Sequence, residues 1–128
     1  MNNDFFFLLY LMIQYIWDRS TDTMECDSNN FEIYLFSHHI LSTYLYLGGV
    51  LYNPLYHMIF LIILVTHWIT NNNECVFTVQ TNKYCGYPEK KSFKDILSQI
   101  GIFKSFTNIH YIIVGCLLLY DIYKIIKK

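Results

Sequence analysis

The stretch FEIYLFSHHILSTYLYLGGVLYNPLYHMIFLIILVTHWIT, residues 31–70, decides the fold. Glu32 is its sole Asp, Glu, Lys or Arg, and the rest is apolar or neutral. Asn53-Pro54 interrupts it, because proline suits the first turn of a helix and disfavours helix in the residue before it. Two apolar runs this close can both sit in lipid only if each closes its own backbone hydrogen bonds, so residues 31–52 and 54–70 are expected to form an antiparallel helical hairpin. The first run is unusually polar inside, carrying His38, His39, Ser42, Thr43 and Gly48-Gly49, and reads as facing other helices more than lipid. The second is more uniformly apolar and ends at Trp68, where an indole suits the membrane interface.

Residues 5–17 form a third apolar block, which would be about 20 Å long as a helix against a hydrocarbon core of roughly 30 Å. It spans if the bilayer thins or its flanks join in. Residues 108–126 form a fourth block, closed by Lys127-Lys128. Between the hairpin and this last block, residues 71–107 are the one long polar segment and read as a loop. Within it Phe93, Ile96, Leu97, Ile100 and Phe103 keep helical spacing behind Ser92 as N-cap and Asp95 three residues on, which predicts a short amphipathic helix at the interface. The fold class is therefore an all-α integral membrane bundle of three to four transmembrane helices, one domain over residues 1–128, with no internal repeat.

Composition agrees. Of the 128 residues 54% are hydrophobic and 15% charged, below the globular norm of about 25% charged, and the charges avoid the apolar blocks almost completely. A net charge of -1 supplies no field to attract nucleic acid, and no basic stripe interleaved with aromatics is present. The expected partner is the lipid bilayer, with other membrane proteins or further copies of the chain beside it. Met1-Asn2-Asn3-Asp4 lacks the positive start of a secretory signal, so the first apolar block reads as retained.

If all four blocks span, residues 18–30 and 71–107 share one side of the membrane (face A), while the N-terminus, the Asn53-Pro54 turn and the C-terminus share the other (face B). Face A then carries Arg19, Lys83, Lys90, Lys91, Lys94 and Lys104, against Lys124, Lys127 and Lys128 on face B. That excess predicts face A to be cytoplasmic and its cysteines mostly reduced. An exoplasmic face A would instead permit a Cys75 to Cys85 bridge.

The run Cys75-Val76-Phe77-Thr78-Val79-Gln80-Thr81-Asn82, with His57 upstream and His38 or His39 ahead of Gly48-Gly49, resembles the small bacterial membrane proteins of domain of unknown function 2784. That family shows a histidine, a glycine pair, a second histidine and then Cys-Pro-Leu-Thr-x-x-Glu-Asn beyond a helix. His57, Cys75, Thr78 and Asn82 match the pattern here, while Val76 stands for its proline and Thr81 for its glutamate. The resemblance covers residues 35–85. It implies a compact multi-helix membrane fold and no particular reaction.

Four histidines fall near face A: His38 and His39 early in the second block, His67 late in the third, His110 early in the fourth. Neutral imidazoles at one membrane level are how an embedded transition-metal or haem site is built, so His38, His39, His67 and His110 are the candidate metal ligands. Interfacial histidines bound separately to headgroups or loop carbonyls are the plainer alternative. At face B, His57 and Asp121 either pair across the bundle or Asp121 pairs with Lys124 on its own helix. Cys116 is mid-helix and is expected to pack as a small apolar group. The four cysteines lack a Cys-x-x-Cys spacing, and no phosphate loop, serine elbow or carboxylate pair appears, so no catalytic residue is assigned and an enzyme is not expected. The reading is a small structural or accessory membrane component, with a haem- or metal-binding redox protein as the alternative. A transporter would need a polar path through the midplane, for which Ser42, Thr43 and Thr66 are the available residues.

Overall fold

The computed structural model describes residues 2–21, 31–86 and 109–128. They form five helices: α1 (Asn3–Thr21), α2 (Phe31–Leu51), α3 (Pro54–Thr70), α4 (Val76–Cys85) and α5 (Ile109–Lys127). The chain is all-helical over the described residues. The interfacial helix expected around Phe93 to Phe103 lies outside them.

The hairpin turns at Asn53-Pro54. Asn53 is the N-cap of α3, its side chain accepting the backbone N–H of Leu55 at 2.9 Å, and Pro54 opens the first turn, where no N–H is needed. Two sequence boundaries are corrected. First, α1 runs past Trp17, so Asp18 and Arg19 belong to a helix and not to a loop; at 19 residues it is about 28 Å long. Second, the polar segment after α3 contains α4. Trp68 O accepts the N–H groups of Asn71 and Asn73, at 3.3 and 2.8 Å, ending α3. Asn72 and Asn73 then take positive φ of 54° and 61°, which asparagine tolerates, and α4 starts three residues on. It stops at Gly86, a left-handed C-cap at φ 64° whose N–H returns to Asn82 O.

Contacts fix the directions of the four long helices. Asn3 Nδ2 donates to Leu51 O at 2.5 Å and Gln14 meets Thr43, so α1 is antiparallel to α2. His57 lies against Asp121 and Trp68 against His110, so α3 is antiparallel to α5. The chain therefore goes up, down, up and down, and α2 is its hub, packing against α1, α3, α4 and α5. One apolar cluster (Phe31 and Leu35, with Tyr15 and Phe77) joins α1, α2 and α4; the other (Leu45, Leu61, Trp68 and Val114) joins α2, α3 and α5.

The polarity of the bundle is inverted. Gln14, Asp18, His39, Thr43, His57 and Asp121 are all fully buried, while Leu8, Ile16, Ile63, Ile69, Ile112 and Leu119 are more than half exposed. Among the described residues one helix, α5, is long and apolar enough by composition to cross a membrane; α3 is apolar but shorter.

Glycine makes the closest approach. A Cβ on Gly49 would collide with Asp121 Oδ1 and lie 2.7 Å from His57 Nδ1, whereas a Cβ on Gly115 would meet nothing within 4 Å. Gly49→Ala is expected to destabilise the purified chain by about 1–3 kcal/mol through overpacking. Gly115→Ala is expected to stabilise it by up to ~1 kcal/mol through helix propensity. Thermal unfolding of both variants side by side checks the pair.

Candidate functional site: two buried carboxylate and imidazole pairs

On α1, Leu11, Gln14 and Asp18 are spaced three and four apart, so they share the face turned to α2, and all three are buried. Asp18 Oδ2 lies 2.6 Å from His39 Nε2, with side-chain exposures of 1% and 0%. Gln14 extends the polar seam one turn deeper, donating to Thr43 Oγ1 at 2.9 Å and accepting from Ser42 Oγ at 3.2 Å. Thr43 in turn donates to His39 O at 2.7 Å. Three side chains of α2 thus meet two of α1 by hydrogen bonding, beside buried Leu11.

The second pair lies at the other end of α2. His57 Nδ1 is 2.7 Å from Asp121 Oδ2, and its Nε2 is 3.0 Å from Leu45 O. A carbonyl oxygen can only accept, so Nε2 carries a proton. Nδ1 then faces a carboxylate oxygen at hydrogen-bond distance, which requires a second proton between them. The pair holds one proton count and is neutral overall. Lys124 Nζ donates to Gly49 O at 2.7 Å beside it, so Asp121 pairs with His57 and not with Lys124.

The four candidate metal ligands do not come together. His39 turns to Asp18 on α1. His38 stands edge-on to it at 5.4 Å between ring centroids, with Nδ1 3.5 Å from Cys75 Sγ. His67 Nε2 accepts the N–H of Val76 at 3.1 Å, which satisfies the first turn of α4. His110 packs edge-on against Trp68. No three His, Cys, Asp or Glu side chains are grouped as metal ligands among the described residues. The expectation placed these imidazoles at one depth, but depth says nothing of direction around each helix axis, and each is aimed at a different neighbour.

Of the motif residues, His57 sits in the face B pair, while Cys75, Thr78 and Asn82 belong to α4 and its start at the opposite end. Thr78 and Thr81 are buried, Thr81 donating to Phe77 O on its own helix. Ser42 and Thr43 lie in the buried seam, but Thr66 is exposed and bonds back to Ile62 O, so it lines no path with them. Cys85 is disulfide-bonded, whereas Cys75 and Cys116 are free thiols. There is no Cys75 to Cys85 bridge, and the expectation of reduced face A cysteines is corrected at Cys85. Cys116 is exposed, not packed inside. Burial pushes the Cys75 thiol above its ordinary range, partly opposed by the N–H groups of Phe77 and Thr78.

No family model, curated protein or solved structure matches this chain.

Removing one member of a buried pair strands the other. Asp121→Ala is expected to cost about 3–5 kcal/mol. Arg19→Ala, which breaks the half-exposed Arg19–Glu32 bridge, is expected to cost no more than about 1 kcal/mol, and comparing their unfolding midpoints checks the contrast. With its thiol pushed up by burial, half-buried Cys75 is expected to react with iodoacetamide at pH 7 far more slowly in the folded chain than after unfolding in sodium dodecyl sulfate, as peptide mass spectrometry would read.

Proposed function

We propose that the chain is a multi-pass integral membrane protein in which α1, α2, α3 and α5 all cross the bilayer, and that it serves as a small structural or accessory component there. The inverted polarity carries this reading. In water, outward-facing Leu8, Ile16, Ile63, Ile112 and Leu119 would form apolar surface on three helices while carboxylates and imidazoles occupied the interior. In lipid both halves are favourable, because the tails accept the apolar faces and the polar groups find partners only inside.

Mean hydropathy singles out α5 because an average counts inward and outward residues alike. Five of the residues that lower it in α1 and α2, Gln14, Asp18, His39, Ser42 and Thr43, are buried against one another, and the charged Asp4, Arg19 and Glu32 lie at helix ends. Helix lengths agree: 19, 21, 17 and 19 residues correspond to about 26–32 Å, close to the roughly 30 Å hydrocarbon core. Arg19 and Glu32 mark one end of the bundle and Asp4, Lys124 and Lys127 the other, and no exposed charge lies between them in α1, α2 or α3.

A disulfide at Cys85 belongs in an oxidising compartment, so face A is read as exoplasmic or lumenal, against the lysine excess. That excess rests on Lys90, Lys91, Lys94 and Lys104, which lie outside the described residues. Kinship with domain of unknown function 2784 is part of the proposal, resting on His57, Cys75, Thr78 and Asn82.

Alkaline carbonate washing of membranes from expressing cells tests the reading. The chain is expected in the pellet, with Cys85 alkylated only after reduction. Release into the supernatant would overturn the membrane assignment, and Cys85 alkylated without reductant would overturn the sidedness.

A further inference from the structure

The two buried pairs look alike but differ in how many proton states they allow. At His57 both ring nitrogens face acceptors, Asp121 Oδ2 and Leu45 O, so losing a proton would set two lone pairs against each other. Asp121 Oδ1, like Asp18 Oδ1, is buried without a partner, but with both ring nitrogens of His57 committed the proton count of this ring is fixed. At His39 only Nε2 has a partner, Asp18 Oδ2, while His39 Nδ1 and Asp18 Oδ1 are buried with no hydrogen-bond partner.

The states at His39 can be enumerated. With Nε2–H donating to the carboxylate and Nδ1 bare, the pair carries one negative charge and an unpaired acceptor. Adding one proton at Nδ1 makes the pair neutral but leaves an unpaired buried donor. Moving the proton on Nε2 to Asp18 gives the neutral acid and a neutral ring, with the same proton count as the second state. Neither count satisfies every group, so the balance between a buried charge and a buried unpaired N–H decides occupancy.

We propose that Asp18–His39 is a reversible proton-binding site between α1 and α2, and that His57–Asp121 is a hydrogen-bonded pair of fixed proton count. The proposal rests on the membrane reading for the compartment that supplies the proton, since Asp18 lies near the face A end of α1. The proton comes from water at that face and returns to it.

The surroundings leave His39 as the group free to respond. On α1, Tyr15 meets its ring edge-on at 6.5 Å, and Arg19 is engaged by Glu32 of α2 at 2.9 Å. His38 on α2 contacts Cys75, which precedes α4, and Lys83 of α4 is exposed. On α3 and α5, His67 is held by Val76 N–H and His110 packs on Trp68, while Asp121 is committed to His57. Loss or gain of this proton changes the charge at the α1–α2 seam, the one contact α1 makes with another described helix.

The test is nuclear magnetic resonance of the full chain, labelled with 15N-histidine and 13C-aspartate, in phosphatidylcholine vesicles from pH 5 to 9. One imidazole is expected to pass between a bare and a protonated Nδ1, with one aspartate carboxyl carbon shifting alongside. Both changes are expected to vanish in His39→Gln, or in the near-isosteric Asp18→Asn if the first variant does not fold. His57 and Asp121 signals are expected to hold constant. Constancy of both pairs across the range, or equal titration of both, would overturn the proposal. Flotation of the same vesicles separates the two readings: a chain that floats with lipid while His39 stays constant defeats the proton site alone, and one that fails to float while His39 titrates defeats the membrane assignment alone.

Discussion

The contact between His57 and Asp121, under Gly49, is the constraint on which the arrangement of α2, α3 and α5 depends. His57 comes from the first turn of α3, directly after the Asn53-Pro54 turn, so its position is set by local chain geometry. Its ring then reaches across to α5 through Nδ1 and to the α2 backbone through Nε2. This works only because α2 carries no side chain at Gly48 and Gly49, where a Cβ would meet His57 Cδ2 at 2.5 Å and His57 Nδ1 at 2.7 Å. Lys124, one turn beyond Asp121, fastens the same point by donating to Gly49 O. Three helices are thereby held at one level by directional bonds, with Leu45, Leu61, Val114 and Trp68 filling the space toward face A.

The α1–α2 interface is built differently. It has an apolar cluster at one end and, below it, a seam of Asp18, His39, Gln14, Ser42 and Thr43, each fixing the next by hydrogen bonding. In a medium that offers the helix surface no hydrogen bonds, such a seam specifies one register between two helices, since sliding by a turn would strand every member. The unpaired atoms at Asp18 and His39 are its one imperfection. They sit between α2 and α1, a helix whose one neighbour among the described helices is α2.

Much of the fold was legible in the sequence. The Asn53-Pro54 break and the apolar runs around it located α2 and α3, and the last apolar block located α5. What failed did so for identifiable reasons. The apolar block ends at Trp17 but α1 does not, because Asp18 is inward-facing and paired, so polarity there marks a buried partner and not a boundary. The spacing of Leu11, Gln14 and Asp18 carried that signal. Helix α4 was hidden because Val76-Phe77-Thr78-Val79 has weak helical preference, and His67 and packing against α2 stabilise it instead. Of the site, His57–Asp121 was one of two open alternatives, and the histidines near face A were grouped by depth although their directions diverge.

In the proposed arrangement the outward faces of all four long helices meet lipid, including those of α1 and α2, which carry the buried polar seam between them. Spin labels at Ile16 on α1, Val50 on α2, Ile63 on α3 and Leu119 on α5, each more than half exposed, would report the medium directly in reconstituted vesicles. Power-saturation measurements with molecular oxygen, which partitions into lipid, and a water-soluble nickel chelate distinguish the two environments. Labels at Ile63 and Leu119 are expected to be oxygen-accessible and nickel-protected, and those at Ile16 and Val50, nearer the helix ends, to show the same preference at a shallower depth. Nickel-accessible labels on α1 and α2, with only α5 protected, would contradict a four-helix bundle in the membrane and leave a single span.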